Sequence, residues 1–582
     1  VDILVDIIEH LPSQDRCRFS ATCRPIRRLS KSYLFGSISV GLEHPISTSE
    51  CFPVPHSLWP AVRSLTITDK CVDRLYSTRS KHDCDKNMWY PKQIRHTDDP
   101  MVCGVLQGGP LVDVLISMPR LSALVLRSLG SRAHGPPWAF IHEILSLPHL
   151  RHLDIDQLRY CPKPDSSSLT LSTAHTVSTI RSFVYRQDLF RTQPALASES
   201  RALEATLRAA HTTLECIALP TEPAPIHTFA ALPWPRLREL RLTGPAWTEP
   251  STPLVFLLAS MPHLRILVLN LAPPALPHTA QNRAPWGIVD PSNNPVHAGG
   301  SDDGRVTPVW PRTLTPPPAT FPWRDLEHLT LSAPDPDDSV FAHLPPTLRA
   351  LSLRPFPHHC VALWRAGDVA LARRLGADRL EALTRSPLLT ARDLTRIVTA
   401  CPGPMRAMRE LRVEYLADAG EAAALRAVVA RFPRLRALEV HRYRPRDGEA
   451  SLDLVRPPPA PAPLFSVHQA DGFWGGQDAV ARILAGLREL RTLKVHLDLP
   501  NMVDPTRLPA AAKHRDLARL YAEFYESMRV AVEGFARLLA PALESVWVLH
   551  TSARAPAWRV YEVSCEGGIT LTQESAEYEM HG

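Results

Sequence analysis

One phrase recurs along this chain more than any other: an apolar residue, two variable ones, an apolar residue, one variable, and an apolar residue, often with proline just ahead. Leu121 to Leu126 is a clear copy, and Leu150–Ile155, Leu214–Leu219, Leu237–Leu242, Leu264–Leu269, Leu326–Leu331, Leu348–Leu353, Leu435–Val440, Leu490–Val495 and Leu543–Val548 repeat it. Weaker copies start at Val62, Ile180, Leu380 and Met408. The fourth positions of these fourteen copies mostly lie 22 to 34 residues apart, with four gaps of 53 to 62. A repeat this regular rules out a set of independent globular domains, because repeat arrays lengthen along one axis without splitting.

The last two apolar positions of each copy alternate, which predicts a short strand buried on one face. Helical spacing precedes several copies, as in Phe140–Leu147, Val255–Met261 and Ala423–Phe432, and Pro148, Pro262 and Pro433 follow. Proline lacks the amide donor and clashes with the preceding turn, so it stops the helix and turns the chain into the strand. Helix, proline, strand is therefore the unit. One unit cannot bury both of its elements, but stacked copies share a continuous aliphatic core.

The pattern resembles the leucine-rich repeat family, of the irregular kind, over residues 60–550. The resemblance implies an α/β class: a curved leucine-rich-repeat solenoid with parallel strands on the concave side and helices on the convex side. The asparagine common after such strands has one counterpart, Asn270. Doubled gaps read as insertions at 69–103, 271–325 and 445–465, the last two rich in proline. Apolar spacing from Arg515 to Leu539 predicts one long final helix, and residues 551–582 read as a hairpin cap with a turn at Gly567-Gly568.

The first 39 residues differ from the rest. Ile3, Leu4, Ile7, Ile8 and Leu11 make an amphipathic helix ended by Pro12, Ser13 is a candidate cap for a second helix running to Thr22, and a third short helix follows. At Asp2 to Asp15, Ala21–Arg24 and Ser32–Phe35 this segment resembles the F-box, N-terminally incomplete because the opening leucine-proline pair would precede Val1. Arg16 stands where leucine is common, and Ile26 where tryptophan is usual. An F-box followed by leucine-rich repeats is a known family architecture. The resemblance implies docking on the Skp-type adaptor of a cullin-RING ubiquitin ligase, through Ile3, Leu4, Ile7, Leu11, Pro12 and Ile26, with an unidentified protein target held on the repeats.

If the repeat leucines point inward, the residues between them face the concave side. The candidate target-binding residues are His152, Asp154, Asp156, Glu239, Arg241, Glu410, Arg412, Glu414, Glu439, His441, Lys494, His496 and Trp547, with His328, Thr330 and Arg354 on the same rows. Arg412, Glu439 and Lys494 alternate in sign, and Glu414, His441 and His496 flank them as polar groups able to hydrogen-bond a partner.

Composition narrows the function classes. The 65 basic residues are interspersed with 59 acidic ones, a net charge of +6, so no nucleic-acid groove is indicated. The longest apolar stretch, Leu254–Met261, is too short to span a bilayer, so no membrane role is expected. Eleven cysteines without a CxxC pair suit an intracellular protein, cytoplasmic or nuclear. Cys71, His82, Cys84, His96 and Cys103 lack the tight paired spacing of structural zinc and read as ordinary loop residues, so neither metal nor cofactor is expected. GxSxG, Walker and HExxH motifs are absent, which points away from an enzyme. The alternative to a ligase subunit is a non-catalytic repeat scaffold in which the first helices only cap the array.

Overall fold

The structure is a computed structural model of the 582-residue chain. It describes residues 2–71, 101–107, 109–128, 134–162, 178–187, 196–245, 253–272, 309–311, 321–332, 334–354, 388–443, 479–497, 514–539, 542–551, 556–564 and 568–577. Two compact units result, Val1–Leu242 with Leu257–His263 and Thr243–Phe256 with Leu264–Gly582. Both are α/β, of leucine-rich-repeat solenoid class. Most of the sequence proposed as insertions, together with the repeat copy at Leu380, His82, Cys84 and His96, lies outside the described residues.

The first unit opens with three helices, α1 (Asp2–His10), α2 (Ser13–Ser20) and α3 (Arg24–Leu34). Ser13 is the first residue of α2 and not its cap; Pro12 occupies that place, and α2 ends two residues before the expected Thr22. Arg16 replaces an apolar residue with a tether: its guanidinium donates to the carbonyls of Leu11 at 2.9 Å, Glu9 at 3.2 Å and Tyr33 at 3.2 Å. Three carbonyls at the ends of α1 and α3 are thereby satisfied by one side chain.

The parallel ladder starts immediately afterwards. β1 (Ser37–Leu42) pairs with β2 (Ser64–Asp69), followed by β3 (Ala123–Ser128), β4 (His152–Asp156), β5 (Ser182–Arg186) and β6 (Cys216–Pro220). β7 (Glu239–Pro245) begins by donating the Glu239 amide to the Glu215 carbonyl at 3.0 Å. Leu65, Leu124, Leu153, Phe183 and Ile217 face one another in successive register. All five are fully buried. The helices Gly109–Ile116, Trp138–Leu145 and Ala197–Ala210 return the chain between strands and bury Leu115, Ile144 and Leu207.

The second unit repeats the plan with β8 (Ile266–Ala272), β9 (His328–Ser332), β10 (Ala350–Arg354), β12 (Glu410–Leu416), β13 (Ala437–Tyr443), β14 (Thr492–Leu497) and β15 (Ser545–Thr551), while the two-residue β11 (Leu389–Thr390) pairs with the end of β12. Leu267, Leu329, Leu351, Leu411, Leu438, Leu493 and Val546 form the buried row of this unit. β10 pairs directly with β12, in register Ser352 to Arg412. β13 likewise pairs directly with β14 across the 55-residue gap, in register Glu439 to Lys494.

Each step closes with the same backbone device. The Arg349 carbonyl accepts the amides of both Arg409 and Glu410, at 2.7 and 3.0 Å, and the Arg151 carbonyl accepts those of Arg181 and Ser182 at 2.8 and 2.9 Å. One acceptor with two lone pairs serves two donors, so strand entry is satisfied without a side-chain asparagine. At the far end, the helix His514–Leu539 buries Met528, Val532 and Phe535, and β16 (Pro556–Val563) and β17 (Ile569–Glu577) add an antiparallel hairpin to β15.

Candidate functional site

Three groups of side chains bear on function. The first is the outer face of α1. Ile3 is 76% exposed, Ile7 44% and Leu4 36%, whereas Ile8 is fully buried. Pro12 is exposed, and Leu11 and Ile26 are half-buried. Three exposed aliphatic residues on a nine-residue helix form an apolar stripe that no described residue of the first unit covers.

The second is the row of residues between the repeat leucines. In the first unit, Asp154 on β4 pairs with Arg186 on β5, and Asp156 accepts from Arg127 of β3 at 2.9 Å. Burial lowers the His152 pKa, and the neighbouring Arg186 acts in the same direction. Glu239 pairs with Arg241 two residues along β7. Asp156, Glu239 and Arg241 remain partly accessible, but Asp154 is only 4% exposed, which removes it from the expected target surface.

In the second unit, Arg412, Glu439, Lys494 and Trp547 stand side by side in register on β12 to β15. Arg412 donates to Glu410 at 2.6 Å and lies 3.6 Å from Glu439. Arg354 reaches from β10 to Glu439 and comes within 2.8 Å of His441 Nε2, which itself lies 2.9 Å from Glu439 Oε1. Burial opposes the Glu439 charge, yet the His441 hydrogen bond and the charges of Arg354, His441 and Arg412 hold its carboxyl well below the usual range. The Lys494 ammonium lies 4.3 Å from the Trp547 ring and 5.7 Å from that of Trp558 on the hairpin.

That hairpin corrects the expected surface. Trp558 packs edge-on against His441, with centroids 5.9 Å apart, and against Trp547 at 6.4 Å, while His441 stacks on His496 at 6.1 Å. Glu414, Glu439, His441 and His496 are all buried, so they form a polar layer inside the unit and not a row of polar groups open to a partner. Glu410, Arg412, Lys494 and Trp547 keep partial exposure, as do Thr330 and Arg354, and His328 is exposed. The sequence pattern showed the hairpin but not its reach over His441, because the covering strand lies more than a hundred residues downstream of that histidine.

The third group was not expected. Cys71 and Cys103 are not ordinary loop residues: both are buried, and with Asp69 and His134 they bring four potential ligand atoms within 4.8 Å of one another. Asp69 ends β2, accepting the Cys71 amide at Oδ1 (2.8 Å) and lying 2.7 Å from His134 Nε2 at Oδ2. The Cys71 thiol is brought down to about 7, chiefly by its hydrogen bond with Cys103, while burial opposes. The same hydrogen bond, with burial, pushes Cys103 up. Burial also opposes the His134 charge, but the Asp69 hydrogen bond raises its pKa to about 9. His134 belongs to no repeat copy and sits 31 residues from Cys103, so no spacing rule could have found it.

No curated protein sequence is significantly similar to the chain. Among solved structures, a crystal structure of the TLR13-ssRNA13 complex aligns over 80% of this chain at 13% identity with a TM-score of 0.28, and the chain spans 58% of that protein. No helix among the described residues is long and apolar enough to cross a membrane. Residues 1–37 match the F-box domain family, and the strand-and-helix repeats that follow them are of the leucine-rich type.

Proposed function

We propose that the chain is a substrate-receptor subunit of a cullin-RING, SCF-type ubiquitin ligase, acting inside the cell in the cytoplasm or nucleus. Residues 1–39 dock on the Skp-type adaptor, residues 60–550 hold a target protein, and residues 551–582 close the array. The observation that carries this reading is the F-box match over residues 1–37, whose first helix presents Ile3, Leu4 and Ile7 to solvent. Such a subunit performs no bond chemistry. It holds the target near the ubiquitin-charged partner, raising their effective concentration by tethering.

Target contact is assigned to the accessible part of the inter-leucine rows: His152, Asp156, Glu239, Arg241, Glu410, Arg412, Lys494 and Trp547. Co-purification of the full chain with a Skp adaptor, beside the Ile7→Asp variant, tests the docking step. Binding by the parent chain and its loss in the variant support the receptor reading. Failure of the parent chain to bind favours the second reading, a repeat scaffold whose helical start only covers the end of the array.

A further inference from the structure

We propose that Asp69, Cys71, Cys103 and His134 bind one zinc-class divalent ion that locks together the ends of the first repeats. The four residues come from three chain segments: the end of β2, the stretch before the short helix Gly104–Leu106, and the stretch before the helix Trp138–Leu145. All four are buried, and their donors are two sulfurs, one imidazole nitrogen and one carboxylate oxygen. That is the number and chemistry of a closed tetrahedral zinc site, in which four protein ligands leave no position for substrate.

The spacing fits. Zn–S bonds of about 2.3 Å and Zn–N bonds of about 2.0 Å in a tetrahedron put sulfur and nitrogen roughly 3.5 Å apart. Cys71 Sγ lies 3.9 Å from both ring nitrogens of His134, and the four donor atoms all lie within 4.8 Å of one another, so closing the shell draws the sulfur in while the Asp69–His134 contact opens. Asp69 and His134 are now joined by a hydrogen bond. Entry of the ion displaces the proton between them and releases one from each thiol, because thiolate, neutral imidazole and carboxylate are the ligating forms.

The backbone already holds the ligands in place. Gly135 accepts the Cys103 amide at 2.8 Å and donates to Met101 at 3.0 Å, while the His134 carbonyl accepts the Arg159 amide at 3.1 Å. Only glycine fits there, since a Cβ on residue 135 would lie 1.7 Å from the Arg159 carbonyl oxygen. This clamp fixes His134 against Cys103 without help from the side chains, which is the preorganisation a tight site needs.

The test uses the full chain, reduced with a metal-free phosphine and stripped by chelator, then titrated with Zn²⁺ and separately with Co²⁺. The expected result is one ion per chain, near-ultraviolet thiolate-to-cobalt absorption with strong visible bands of tetrahedral cobalt, and a higher melting temperature with zinc. Cys103→Ser and His134→Ala each lose uptake at least tenfold, and Cys51→Ser, at an exposed cysteine, retains it. Should a ligand variant not fold, the cobalt spectrum of the parent chain decides alone. Absence of uptake by the reduced parent chain, a cobalt spectrum without the thiolate band, or a Cys71–Cys103 disulfide that forms in place of metal binding overturns the proposal.

Discussion

Lys494 sets its ammonium 4.3 Å from the ring centre of Trp547, its register partner on the next strand. Burial lowers the lysine pKa, and Arg412 and Arg354 push the same way against Glu439 and Glu410. A half-buried tryptophan beside a cation is the kind of residue that dominates protein interfaces. Trp547→Ala is expected to weaken target capture by about thirtyfold, the equivalent of roughly 2 kcal/mol. Thr66→Ala on β2 serves as control. A binding titration in which only the Thr66 variant loses affinity would move the contact surface elsewhere.

On α1, neighbouring isoleucines should behave in opposite ways. Ile7 faces solvent and Ile8 is fully buried. Ile7→Asp is expected to abolish adaptor binding with melting unchanged, because exposed substitutions typically move stability by less than about 0.5 kcal/mol. Ile8→Ala should loosen the three-helix segment by about 2 to 5 kcal/mol. Adaptor pull-down beside hydrogen exchange of residues 2–34 separates the two, and equal exchange in both variants would contradict the orientation of α1.

The leucine row gives a direct test of strand faces. Leu267 is fully buried opposite Leu329, whereas Arg412 is half-exposed. Leu267→Ala should cost about 2 to 5 kcal/mol in denaturant unfolding, and Arg412→Ala about 1 kcal/mol or less. Comparable losses from both would mean that the faces are reversed.

Two buried carboxylates in the second unit should give opposite pH dependences. Asp338 accepts the amides of Val309 (2.5 Å), Trp310 (3.0 Å) and Val340 (2.9 Å), yet burial outweighs these bonds and raises its pKa to about 6. A carboxyl raised above its unfolded value of about 3.9 binds protons better in the native state, so its contribution is full below pH 4 and is lost as pH rises through about 6. Glu439 is depressed by its His441 and arginine partners. Its contribution is present above the unfolded value of about 4.3 and is lost as pH falls toward the much lower native one. Chemical unfolding followed from pH 3 to 8 should show the decline between pH 4 and 6 disappear in Asp338→Asn, and the acid-side decline shrink in Glu439→Gln. Unchanged slopes in both variants would refute the assignments.

The sequence by itself determined the repeat unit, because burial of alternate side chains every turn of the array demands an apolar phrase at near-constant spacing. Leu65, Leu124 and Leu153 and their later counterparts stand in register as that phrase requires. The three-helix start at residues 2–34 and the long helix His514–Leu539 were equally legible, since helical periodicity and proline stops are local signals. What only the tertiary structure decided were contacts between residues far apart in the chain. The covering of His441 by Trp558 requires an antiparallel strand to fold back onto a parallel ladder, and Glu414, His441 and His496, expected on the open face, are interior residues. The meeting of His134 with Asp69, Cys71 and Cys103 depends on three repeat ends stacking beside one another. Ligand spacing along the chain carries no trace of that juxtaposition, because in a solenoid lateral neighbours are set by strand pairing and not by sequence distance.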